Sequence, residues 1–279
     1  MRIFTTISKI IETLDDFQRE GKSIGFVPTM GALHAGHISL IQESKANNDI
    51  TIASIFVNPI QFNNKEDLEK YPNQIEKDIQ MLEEENCDIL FNPTVEEMYP
   101  TPDLTEFDFG KLEKVMEGAN RPGHFRGVAI VVKRLFEIIK PTKAYFGKKD
   151  YQQLLIVKSL VSQYNLSPEI IACNIVREED GLAMSSRNKR LSFAQRRKAP
   201  SIYANLQKAK DLKEYLSPKQ LKHWMHERYL GNEDFTLEYF EIADSETLES
   251  ITEWDDNKNT IGFIVVHLGG VRLIDNIEI

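Results

Sequence analysis

Two short apolar runs, residues 24–27 and 50–57, stop at Pro28 and at Asn58-Pro59, and between them Leu33, Ile38 and Ile41 mark a helical face over residues 34–47. Strand, loop, helix and strand in that order make a βαβ crossover, the unit that joins parallel neighbours in a sheet. The pattern recurs along the chain. Ile75, Ile79 and Leu82 mark a helix before an apolar strand at 88–91; Val128, Val131, Leu135 and Ile139 mark one before 144–146; a helix at 152–164 precedes a strand at 170–176. Five strands alternating with helices predict an α/β fold with a parallel sheet covered on both faces and its ligand beyond the carboxyl ends of the strands. After residue 176 the alternation stops. Helices near 193–215 and 218–229 precede clustered strand signals at 235–243, 261–268 and 272–277, which predict a smaller α+β unit with a largely antiparallel sheet. The expected division is 1–176 and 177–279.

Charge and composition narrow the partners. Among 279 residues, 34 Lys and Arg face 43 Asp and Glu, a net charge of −9, so duplex nucleic acid would be repelled on average and an anion site must be a local basic island. Cys87 and Cys173 are the two cysteines and both lie in apolar, strand-like surroundings; a disulfide framework is not expected and a reducing cytoplasm is. The N-terminal residues carry Glu12, Asp15 and Asp16 among the apolar positions, unlike a signal peptide. Lys133 and Arg134 interrupt the most apolar stretch, so no membrane association is expected.

Three segments carry chemistry, each where a strand gives way to a loop or helix. The first is Pro28-Thr29-Met30-Gly31-Ala32-Leu33-His34-Ala35-Gly36-His37. Its glycines allow a tight turn and close approach of a ligand, and a helix start offers free N–H groups to anionic oxygens. His34 and His37, three apart, face the same way and can donate together to a phosphate; the plainer reading is a turn with capped or solvated histidines. The second is Gly147-Lys148-Lys149-Asp150, in which Lys neutralises an anion and Asp150 either caps a helix or accepts ribose hydroxyls. The third, residues 177–188, combines Met184, Ser185, Ser186 and Arg187, hydroxyls and a guanidinium suited to polyphosphate, or else a charged linker. GxGxxG and the P-loop pattern are both missing. His223 and His226 are also spaced by three but lack a glycine turn, and a surface or packing role is expected of them.

Taken together, PTMGALHAGH at 28–37, VNPIQF at 57–62, RPGHFRGV at 121–128, AYFGKKDYQQL at 144–154, REEDGLAMSSRN at 177–188 and RLIDN at 272–276 resemble the pantothenate synthetase, or pantoate:beta-alanine ligase, family of the nucleotidyltransferase superfamily with its HxGH motif. The motifs span nearly the whole chain in the family's order. The resemblance implies a Rossmann-like N-terminal domain that binds ATP and pantoate, a C-terminal lid domain and a homodimer. It also implies a two-step ligation: the (R)-pantoate carboxylate attacks the α-phosphorus of ATP to give pantoyl adenylate and pyrophosphate, and the amine of beta-alanine then expels AMP to give pantothenate. Carried over residue by residue, Met30, Gly31, Ala32, Leu33, His34, Ala35, Gly36 and His37 would cradle ATP, with His37 the family's proton donor and His34 and Lys149 assisting catalysis. Gly147, Lys148, Lys149 and Asp150 would bind ATP from a second loop, Val176 would meet the adenine through its backbone, and Met184, Ser185, Ser186 and Arg187 would clamp the phosphates. Gln61 and Gln153 would hold pantoate, Gln61 also bordering the beta-alanine position. Mg²⁺ is expected with ATP, held by phosphate oxygens and water, so no protein metal ligand is named. Ile130, Tyr151 and Val271 stand where the family often has Thr, Phe and Thr, and Lys77 and Met81 flank Asp78 where some members carry further polar residues. The competing readings are a nucleotidyltransferase with another acceptor, a class I aminoacyl-tRNA synthetase and a nucleotide-binding regulator without turnover.

Overall fold

The computed structural model describes residues 1–279, the side chain of Lys65 excepted. In chain order, β1 (Arg2–Phe4) and α1 (Ile7–Arg19) lead into β2 (Ile24–Thr29), α2 (Ala35–Asn47) and β3 (Ile50–Ile55). Next come α3 (Lys65–Glu69), α4 (Ile75–Glu84), β4 (Ile89–Phe91), α5 (Val95–Met98), α6 (Met116–Asn120), α7 (His124–Ile139), β5 (Lys143–Gly147), α8 (Tyr151–Gln163) and β6 (Glu169–Cys173). The remainder is α9 (Phe193–Lys198), α10 (Ser201–Leu212), α11 (Pro218–Tyr229), β7 (Phe235–Asp244), β8 (Thr260–Leu268) and β9 (Val271–Glu278).

The first six strands form one sheet in the order β1-β4-β3-β2-β5-β6, parallel throughout. Side chains alternate across a strand, and here the alternation feeds two apolar layers. Phe26, Ile52, Ile89, Ala144 and Phe146 pack with α1, α7 and α8, whereas Val27, Ala53, Leu90 and Tyr145 pack on the opposite face with α2 and α4. Every residue of β3 is consequently buried. The sixth strand, β1, goes beyond the five that the apolar pattern predicts. Its three residues lie at the sheet edge, immediately ahead of a helix that dominates the local pattern.

The antiparallel sheet β7-β8-β9 packs against α10 and α11 around a separate apolar cluster that includes Leu206, Leu221, Met225, Ile264 and Leu273. The helix expected over 193–215 divides at Pro200, which has no N–H to continue the backbone ladder. Between the sheets lies a polar junction. Arg272 of β9 meets the Glu117 carboxylate with two nitrogens at 2.8 and 2.6 Å and the Glu238 carboxylate at 2.8 Å, and Tyr239 donates to Glu117 at 2.8 Å.

The strand order reverses beside β2: the chain steps outward to β3 on one side and returns to β5 on the other. A reversal of this kind opens a crevice at the carboxyl ends of the strands. Pairing between β2 and β5 consists of Gly25 with Lys143 and Phe26 with Ala144, although both strands continue for three more residues. Pro28 has no N–H to give to the ladder, and the two strand ends part around it.

Candidate active site

The crevice is a cavity of about 230 Å³. Met30, His34, Gly36 and His37 reach it from the loop after β2, Gln61 from the turn after β3, Gly147, Lys149, Asp150 and Gln153 from the end of β5 and the start of α8, and Val176, Met184, Ser185, Ser186 and Arg187 from the segment after β6. Segments far apart in sequence are thus brought to one opening by the parallel topology. Ile130, Tyr151 and Val271, the positions where the sequence departs from the family pattern, do not line it.

The loop after β2 is held in a way that composition does not suggest. Asp78, in the first turn of α4 and 1% exposed, accepts the N–H of Ala32 and of Leu33, each at 2.8 Å, one on each carboxylate oxygen. Gln74 Nε2 adds a third donor at 3.2 Å. These bonds hold Ala32 in the left-handed region, with φ +53°, a conformation that an alanine rarely adopts unaided. Gly31 N–H donates to Thr29 Oγ1 at 3.1 Å, Gly36 N–H to His34 Nδ1 at 3.1 Å, and His37 N–H to the His34 carbonyl at 2.8 Å. The N–H groups of Gly31, Ala32, Leu33, Gly36 and His37 are thus spent inside the protein, which leaves fewer free backbone donors than a helix start suggests. Gly31, Ala32, Leu33 and Ala35 do not line the cavity; they shape the loop that presents its side chains.

Those side chains are the imidazoles. His34 is the N-cap of α2, not its first helical residue, and its ring folds back over Gly36, where an added Cβ would stand 2.9 Å from it. The His34 and His37 ring centroids are 4.1 Å apart. Because His34 Nδ1 accepts from Gly36, its proton belongs on Nε2. Burial, with Lys149 and Lys189 nearby, lowers the His34 pKa to about 4; burial, His34 and Lys149 lower that of His37 to about 3. Both rings are neutral near pH 7 and act as N–H donors without charge. His37 Nδ1 is buried with no hydrogen-bond partner. Permanent positive charge comes instead from Lys149 and Arg187.

The two neighbouring lysines separate. Lys149 is 18% exposed and faces the cavity, its Nζ 3.8 Å from Asp150. Lys148 points away towards Glu278, at 3.7 Å, and its side chain does not join the site. Asp150 precedes α8 without capping it through its side chain, which leaves the carboxylate, about half exposed, available to a ligand. Across the opening, Arg187 Nη2 pairs with Asp67 of α3 at 3.1 Å, as does Arg190 Nη1. The Val176 carbonyl already accepts the Met184 N–H at 3.0 Å.

The same cavity is lined by amides and by an apolar wall. Gln61 is 8% exposed; its Oε1 accepts from Asn58 at 3.1 Å and its Nε2 lies 3.0 Å from Met30 Sδ. The turn carrying it is gripped by α7. His124 Nδ1 donates to the Gln61 carbonyl at 2.9 Å while Nε2 meets Arg121 at 3.1 Å, and burial followed by Arg121 lowers the His124 pKa to about 4. Gly127 lets the helix touch the turn directly, since an added Cβ would stand 2.6 Å from Gln61 Cα. Phe56, Val128, Val131, Val132 and Leu135 supply the wall. Tyr71 and Asn174 also line the cavity and carry no sequence signal; Asn58 is signalled only as a member of VNPIQF. His223 and His226 lie exposed on α11, remote from these groups.

Comparison with known proteins gives the arrangement a family. The sequence profile described as Pantoate-beta-alanine ligase matches residues 2–278. A pantothenate synthetase of Porphyromonas gingivalis is 49% identical over 278 residues, covering 100% of this chain and 99% of that one. The crystal structure of pantothenate synthetase from Thermus thermophilus superposes with a TM-score of 0.92 at 40% identity, covering 100% of this chain and 99% of that one. The pantoate-beta-alanine ligase of Francisella tularensis, solved in complex with beta-gamma ATP and beta-alanine, gives a TM-score of 0.83 at 37% identity, covering 100% of this chain and 97% of that one. The chain belongs to the pantoate-beta-alanine ligase family.

Proposed function

We infer that the crevice between β2 and β5 is where this ligase joins (R)-pantoate to beta-alanine at the expense of ATP, through pantoyl adenylate, releasing pyrophosphate and AMP. One observation carries the assignment to this cavity. Two neutral imidazoles, Lys149, Asp150, Ser185, Ser186 and Arg187 line one cavity together with a second set, Gln61, Gln153 and an apolar wall. The first set suits a nucleotide and its phosphates. The second suits a small branched hydroxy acid, whose carboxylate and hydroxyls match amides and whose methyls match Val and Leu side chains.

In this reading the pantoate carboxylate is the nucleophile, and the protein orients it and stabilises charge. Gln61 and Gln153 hold pantoate so that a carboxylate oxygen faces the α-phosphorus. His34 and His37 donate N–H bonds to phosphate oxygens as negative charge builds on the departing pyrophosphate, and Lys149 and Arg187 offset that charge. Asp150 takes the ribose hydroxyls, and the backbone near Val176 meets the base. In the second step the neutral amine of beta-alanine attacks the adenylate carbonyl from beside Gln61 and AMP departs. Among the described residues no three His, Cys, Asp or Glu side chains gather into a metal-holding group, and the Asp78 carboxylate is already taken by three donors. Mg²⁺ is proposed to travel with the triphosphate, screening its charge, bound by phosphate oxygens and water.

The proposal includes a domain boundary near residue 177, supported by separate apolar clusters on its two sides. The C-terminal part then serves as a lid that brings Ser185, Ser186 and Arg187 to the phosphates. A homodimer and a cytoplasmic location follow from the family resemblance, and the free thiols of Cys87 and Cys173 suit a reducing compartment. No helix is long and apolar enough to cross a membrane.

The direct test is to incubate the protein with ATP, Mg²⁺, (R)-pantoate and beta-alanine and identify the products by mass spectrometry, omitting one acceptor at a time. Pantothenate with AMP and pyrophosphate is expected; ADP and phosphate would overturn the adenylate route. Light scattering on the eluting protein peak tests the dimer.

A further inference from the structure

The RLIDN segment is a motif for which the mechanism above has no use, and its last residue makes an unusual connection. Asn276 lies in β9, paired with Phe263 of β8 and 6% exposed. Its Nδ2 donates to the carbonyls of Lys148 and Lys149, at 2.9 and 3.0 Å. Two carbonyls can be met by the NH₂ of an amide and not by its oxygen, so the orientation of the side chain follows from its partners.

The amide is itself fixed. Asn276 N–H donates to Asp275 Oδ1 at 2.8 Å, and Arg177 Nη2 donates to the Asn276 carbonyl at 3.3 Å. Arg177 also binds the Asp275 carboxylate through both terminal nitrogens, at 2.6 and 3.0 Å, and lies over the Tyr203 ring at 3.6 Å. The antiparallel sheet therefore presents a rigid double donor to the single helical turn over Lys148–Asp150, which leads into α8.

We propose that Asn276 is a positioning residue for the nucleotide: by clamping the two carbonyls, it sets the turn so that Lys149 and Asp150 face the ATP cavity while Lys148 faces away. The inference rests on the reading of Lys149 as a phosphate ligand. A turn with no such tether could rotate about its backbone and exchange one lysine for the other, since they differ by a single position. It also gives the antiparallel sheet a role in ATP binding beside that of the serines and arginine in the segment after β6.

The test is a double-mutant cycle on ATP affinity, measured by titration calorimetry on the full chain with Mg²⁺ present. N276D keeps the shape of the side chain and places a carboxylate oxygen against the two carbonyls. It should weaken ATP about tenfold, leave pantoate affinity within about twofold, and weaken ATP by less than about twofold when added to K149A. Should N276D fail to fold, N276A removes the donors without adding charge and is read in the same cycle. Parental ATP affinity in a folded N276D, or losses in N276D and K149A that multiply, would overturn the clamp. So would a common fall in ATP affinity, pantoate affinity and melting temperature, the mark of a merely structural residue. If K149A binds ATP as the parent does, the phosphate role of Lys149 falls instead; if K149A is weakened and N276D is not, only the clamp falls.

Discussion

The loops on the two sides of the crevice are built on opposite principles. After β2, the backbone is satisfied from within: Asp78 takes two N–H groups, Thr29 and His34 take others, and the imidazoles are left projecting in neutral form. Across the opening, Arg187 and Arg190 share the carboxylate of Asp67, on the partly exposed α3. The first loop has its conformation before any ligand arrives. The second holds its guanidinium in a pair that a phosphate can replace. A preorganised floor stabilises charge without rearranging during a reaction, whereas a guanidinium on a partly exposed carboxylate can exchange that partner for another anion.

The comparison breaks most severely if the floor is undone. D78A would leave two buried N–H groups unpaired, at about 1–3 kcal/mol each, so chemical denaturation should show a loss of several kcal/mol and pyrophosphate release should fall by roughly a hundredfold or more. A D78A protein with parental activity would mean that the loop is held by something else. Next in size is H37A, for which loss of a donor to the departing pyrophosphate predicts a fall of about a hundred- to a thousandfold in adenylate formation, with circular dichroism unchanged. Pyrophosphate release at the parental rate from the folded variant would remove His37 from that role.

The third effect concerns the neutral histidines. His34, His37 and His124 have folded pKa values of about 4, 3 and 4 against an ordinary value of 6.5. The unfolded chain binds more protons than the folded one between those limits, so their contribution is complete above 6.5 and is lost as pH falls towards the folded values. Stability should drop by about 2 kcal/mol or more between roughly pH 6.5 and 5. Denaturation midpoints across that range, with H34N/H37N flattening the slope, check the sign; a flat parental profile would show that the rings titrate in the folded protein as they do in the unfolded chain. A smaller change is expected for Q153A, which should raise the pantoate concentration needed for half-saturation about tenfold while altering that for ATP far less. Equal losses would deny Gln153 its place beside the acid. Smallest is D67N: releasing Arg187 from a partly exposed pair should tighten ATP by about two- to threefold, more at low salt than at high. Weaker binding would mean that Asp67 orients the arginine for phosphate and does not compete for it.

How much of this is legible in the sequence depends on how local the cause is. The βαβ order, the histidine loop and the turn around Gly147 announce themselves because glycines, prolines and apolar runs act over a few residues. The role of Asp78 is invisible for the opposite reason. It is one acid on an amphipathic helix that also carries Glu76, Glu83 and Glu84, and its partners lie about 45 residues earlier in the chain. Nothing in the order Lys148-Lys149 says which lysine faces the cavity; the neighbouring sheet does. The helix start after β2 advertises free donors, and nothing local shows that Asp78 takes the N–H groups of Ala32 and Leu33 just ahead of it. β1 escapes detection because three edge residues leave no period to read.

The parting of β2 and β5 has a thermal consequence. Between Val27–Thr29 and Tyr145–Gly147 the central sheet forgoes cross-strand backbone bonds that its flanks retain, so its cooperativity is lowest at the crevice, and regions poor in such bonds are the ones that open first. On warming, the crevice would widen and turnover would decline while both apolar cores still hold, which separates the temperature of inactivation from the temperature of melting. Substrates that bridge the gap would narrow that interval by supplying from outside the contacts that the strands do not make with each other.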